Sequence, residues 1–115
     1  MSAFAVDRQE IRKQALKAFK GAKAKRGGKE LAFKIEPKKA LPAMVDILAA
    51  FMERRGRFLD RPFPELAEIA VGEMRGAVLQ DAEEHGPECT VMGNRGAALS
   101  DQFLKNFRPG LHRLE

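Results

Sequence analysis

Apolar residues recur along this chain at three- and four-residue spacing, and glycine or proline punctuates each run, so most of the sequence is committed to short helices. Asp7 followed by Glu10 has the spacing of a capping box and predicts a helix running to about Lys25. At 100° per residue, Ile11, Ala15, Ala18, Phe19 and Ala22 form its apolar stripe, and Gly27-Gly28 ends it. Lys29 to Glu36 alternates, with Leu31, Phe33 and Ile35 on one face, which predicts a short strand closed by Pro37. A second helix is expected over Pro42–Arg55, with Val45, Leu48 and Met52 lining one face, Met44, Ile47 and Phe51 beside them, and Gly56 as its stop. The connection from Arg57 to Pro64 holds Phe58, Leu59 and Phe63, too apolar for a solvated linker, and is expected to lie on the core.

A third helix is expected from Pro64 to about Glu84, with Leu66, Ile69, Ala70, Met74, Ala77 and Val78 inward and Val71 at the margin. Gly72 and Gly76 lie one turn apart on its flank, and close helix packing there would compensate their low helix propensity. Gly86-Pro87 stops it. Cys89–Met92 reads as a second short strand, Gly93 to Gly96 as a turn, and Ser100–Arg108 as a last helix burying Phe103, Leu104 and Phe107. The expected fold is therefore mostly α: one small domain of three to four helices with up to two short strands, preceded by a basic N-terminal helix. Residues 1–28 would form a basic helical arm and 29–113 the helical core domain; Leu114 and Glu115 carry no weight, since they could be a remnant of expression cloning.

Charge is distributed as unevenly as helix propensity is even. Twelve of the 21 lysines and arginines fall within the first 39 residues, against four carboxylates, so this part carries +8 while residues 40–115 carry −3. From Arg12 to Lys29 there are eight basic residues and no acid. A solvated helix face ordinarily interleaves acids one turn away; uncompensated charge of this density favours an external anion. The candidate contacts to phosphate are Lys13, Lys17, Lys20, Lys23, Lys25, Arg26 and Lys29, with a second cluster of Arg54, Arg55 and Arg57 at the end of the second helix. Arginines there also suit the helix macrodipole by itself.

The expected partner is the backbone of DNA or RNA, bound without catalysis and largely without sequence preference. Acidic lipid is disfavoured, because the apolar side of the first helix is mostly alanine and offers little to insert. Base stacking is disfavoured too, since the chain has eight Phe but no Trp or Tyr. An alternative is a protein–protein adaptor or homo-oligomeric scaffold, in which the basic arm docks on the acidic third helix through Glu65, Glu68, Glu73, Asp81, Glu83 and Glu84. Leu31–Ile35, Pro42–Arg55 and Pro64–Glu84, a strand followed by two helices, also resemble a ribbon-helix-helix DNA-binding unit over about half the chain, without a specific motif. In that family the outward strand residues read bases. Here those would be Glu30, Ala32, Lys34 and Glu36; two carboxylates facing phosphate and an eight-residue connection between the helices count against it.

No enzyme, cofactor or metal is expected. His85 and Cys89 are four apart, but two ligands do not make a zinc site, and a thiol nucleophile would need a third, orienting group. A structural cysteine is the expected reading of Cys89, and His112 falls in the expected C-terminal tail. Gly93-Asn94-Arg95-Gly96 lacks the Gly-Lys-Ser/Thr ending of a phosphate-binding loop. The lone cysteine, the lack of a secretory signal and the lack of a run of about 20 apolar residues point to a cytoplasmic protein without a membrane span.

Overall fold

A computed structural model describes residues 5–26, 28–33, 35–56, 60–85 and 104, with only the backbone of Arg26, Lys29, Leu31 and His85, and among these residues three helices and one β-hairpin are delimited. In order they are α1 (Arg8–Phe19), β1 (Lys23–Arg26), β2 (Lys29–Ala32), α2 (Ala40–Arg55) and α3 (Phe63–His85). The fold is mostly helical, as the apolar spacing predicts. The readings over Cys89–Met92, Gly93–Gly96 and Ser100–Arg108 lie outside the described residues, apart from Leu104, which is helical and buried.

Asp7 starts α1 by accepting from the backbone N–H groups of Gln9 (3.0 Å) and Glu10 (3.3 Å). Only that half of the expected capping box is formed among the described residues, because Glu10 instead accepts from Gln14 Nε2 at 2.8 Å. Val6 packs on the core that holds Ile11, the two positions of a hydrophobic staple.

The first helix is shorter than its apolar stripe suggests. It ends at Phe19, where Lys20 turns extended and Gly21 takes φ +72°, the left-handed conformation that glycine adopts at no steric cost. From Ala22 onward the period changes to two: Ala22 and Ala24 are buried, while Lys23 and Lys25 are exposed. The expected extension to Lys25 is thus corrected to a strand. The helix ends well before Gly28, which instead lies in the hairpin connection at φ +78°, and the antiparallel register is Lys23↔Ala32, Ala24↔Leu31, Lys25↔Glu30 and Arg26↔Lys29. The Phe33 N–H continues this pairing to the Ala22 carbonyl at 2.9 Å. β2 is shorter than the expected Lys29–Glu36, although Phe33 is buried and Ile35 packs on the core.

α2 begins at Ala40, two residues before Pro42; a proline in the first turn costs nothing because that turn's N–H groups have no intrahelical acceptor. The Leu41 N–H is taken by the Glu36 carbonyl at 2.9 Å. Met44, Val45, Leu48, Ala49 and Met52 are buried, and α3 buries Leu66, Ala67, Ala70, Val71, Met74, Val78 and Ala82. Val71 is fully buried while lying toward one edge of this arc, as its expected marginal position implies. Phe63 also packs on the core, whereas Phe58 and Leu59 lie outside the described residues.

α1 packs against both other helices, and β1 packs against α3. Ile11, Ala15 and Phe19 join α2 and α3 in one hydrophobic cluster, so the basic N-terminal helix is part of the core. Gly72 and Gly76 make no close helix contact among the described residues: a Cβ built on either meets none of them within 4 Å, and both are exposed, which corrects the packing expected of them. No helix among the described residues is long and apolar enough to cross a membrane.

Candidate nucleic-acid interface

The apolar face that ties α1 to the core also decides which of its side chains point outward. With Ile11 and Ala15 fully buried, a 100° step per residue places Lys13, Lys17 and Lys20 within about 60° of one another, on the side opposite the core. All three are exposed, and none forms an ion pair with another described residue. Lys13 and Lys20 are separated by about 10.5 Å along the axis, near three nucleotide steps of a duplex strand. This ridge is rigid at its base: Asp7 caps one end, and at the other Arg75 of α3 donates from Nε to the Ala18 carbonyl at 2.8 Å. That carbonyl lies in the last turn, where helix acceptors lack internal donors. Arg75, the one basic residue among the α3 carboxylates, is thereby committed to α1.

Lys23 and Lys25 project from the outward face of the hairpin rather than from a helix. Lys23 Nζ lies 3.7 Å from Glu30 Oε2, with both side chains more than half exposed, so this pair holds its lysine only weakly. Lys25 uses its backbone N–H on Glu83 Oε2 of α3 at 3.4 Å, which covers the outer edge of β1. Arg26 and Lys29 face each other across the hairpin register, and their side chains are outside the described set.

The second cluster is divided. Arg54 and Arg55 are exposed in the last turn of α2, Arg55 with an interaction inside the chain; Arg57 lies outside the described residues. They sit on a different helix from the lysine ridge. Arg54 is about 12 Å along α2 from Asp46, at a rise of 1.5 Å per residue. Asp46 in turn forms an ion pair with Arg8 at the start of α1.

Sequence reasoning overlooked the basic residues nearest that contact. Arg12 lines a cleft of about 240 Å³ together with Leu41 and Pro42. Exposed Lys38 and Lys39 occupy the turn directly before that part of α2. The missing signal was tertiary, since only the packing of α1 on α2 brings these positions together. On the acidic helix, Glu65 pairs with Arg61 at 2.6 Å, Glu84 accepts from Gln80 at 3.1 Å, and Glu83 receives Lys25. No group of three or more His, Cys, Asp or Glu residues among those described is placed to hold a metal. The chain matches no protein-family model, no curated protein and no solved structure.

Proposed function

We propose that this protein binds nucleic acid through its phosphate backbone, without catalysis, using the outward ridge of α1 and the adjoining hairpin. The observation that carries the reading is the state of Lys13, Lys17 and Lys20: exposed, aligned, and without a carboxylate partner among the described residues. Lysines carried in a row on a packed helix neutralise successive phosphates without the backbone beneath them having to be ordered on binding. Lys23, Lys25 and the exposed Lys38 and Lys39 add to the same electrostatic footprint, with Arg54 and Arg55 as outer contacts. A cytoplasmic setting belongs to this reading.

Deleting the N-terminal residues would be a poor test, because Ile11, Ala15 and Phe19 are core residues. Charge substitution on the ridge is the informative one. With about six phosphate contacts, duplex DNA binding has a log K against log salt slope of about −5. Lys13→Gln/Lys17→Gln/Lys20→Gln should make that slope shallower by about 3 while the far-ultraviolet circular dichroism stays the same. An unchanged slope in the folded variant removes the ridge from the interface. The adaptor reading has less support, since Glu65, Glu83 and Glu84 of α3 already hold partners within the chain. It requires salt-sensitive self-association without nucleic acid, measurable by sedimentation at two ionic strengths.

A further inference from the structure

Beside the ridge, the end of α1 and the hairpin enclose a groove of about 540 Å³, within the range of small-ligand sites. Its walls include Leu16, Phe33, Ile35 and Pro37; among the described residues, the polar side chains on its lining are Lys20 and Lys23, and no carboxylate lines it. Leu16 is 43% exposed, which sets it apart among the large apolar residues described. Its position follows from α1 ending early. Gly21 turns the chain back, so Leu16 faces the hairpin mouth rather than another helix.

The geometry points to a ligand site for a small amphipathic anion, with an apolar chain against Leu16, Ile35 and Pro37 and its carboxylate or sulfonate head on the ammonium groups of Lys20 and Lys23. Charge complementarity selects this occupant. Lys20 has no ion-pair partner among the described residues, and Lys23 has only the solvated Glu30 at 3.7 Å. An unstacked nucleobase fits less well, because Phe19 and Phe33 are 3% and 4% exposed and offer little ring surface to stack on. A cationic or neutral apolar molecule would leave the two lysines unanswered.

Titration calorimetry of the full chain with decanoate, below its micelle concentration and at constant ionic strength, tests the assignment. One saturable site is expected, with decyltrimethylammonium and decanol each at least about tenfold weaker, since they lose the charge-assisted contacts. Lys20→Glu/Lys23→Glu should weaken decanoate by about tenfold or more. Leu16→Gln, at an exposed helix position that tolerates a polar residue, should weaken it about fivefold. Because Leu16 is uncharged, that variant leaves the salt slope of DNA binding unchanged, so failure of the groove and failure of the lysine ridge are read separately. No saturable heat, equal binding of the anionic and cationic chains, or full binding by Leu16→Gln would each overturn the site.

Discussion

Glycine does two opposite things in this chain, and the difference lies in φ. At Gly28 the backbone sits at +78°, where any L side chain is strained, and the turn depends on that freedom. Gly28→Ala should cost about 1 kcal/mol, seen as a lower urea midpoint at unchanged slope. Gly72 and Gly76 are ordinary helical residues on an exposed face with open space above them. There glycine only adds backbone entropy to the unfolded chain. Gly72→Ala/Gly76→Ala should therefore stabilise by about 1–2 kcal/mol, raising the thermal midpoint by several degrees. A loss of stability would mean that something occupies that face.

At the scale of elements, the informative stretch is Ala22 to Ile35. Its string Ala-Lys-Ala-Lys-Arg, then Gly-Gly, then Lys-Glu-Leu-Ala-Phe is two alternating runs about a two-residue loop, a hairpin signature legible in the sequence. Continuing the helical stripe of Ile11, Ala15 and Phe19 through Ala22 obscures it, because alanine satisfies a period of 3.6 and a period of 2 equally well. Gly21 arbitrates between them by ending the helix. The candidate site changes accordingly: Lys13, Lys17 and Lys20 remain one helical ridge, whereas Lys23 and Lys25 move to a sheet face. The ridge thus predicts a salt-slope loss concentrated in its three lysines, and Lys23→Gln or Lys25→Gln each reduces the slope by no more than about 1.

Across the described molecule, the basic first helix shares one hydrophobic cluster with α2 and α3. Ile11 and Ala15 have no exposed surface, and α1 is the element that touches both α2 and α3. Ile11→Ala should cost about 2–5 kcal/mol, which is a large part of the stability of a domain this size. Removal of residues 1–20 should abolish the cooperative thermal transition altogether; retention of that transition would show that α2 and α3 fold without α1. The charge asymmetry survives this packing because α1 buries alanine, isoleucine and phenylalanine, not lysine. Among the described residues, α1 pairs Arg8 with Asp46, away from the lysine ridge.

The order of residue types along the chain determined the helices, the apolar stripe of each, and the excess of cations near the amino end, because periodicity and charge are local properties. Which basic residues share a face was decided only when α1 settled on α2 and α3, bringing Arg12 to the cleft it shares with Leu41 and Pro42 and opening the groove beside Leu16. Those neighbours are far apart in sequence, and burial of the intervening apolar side chains is what draws them together.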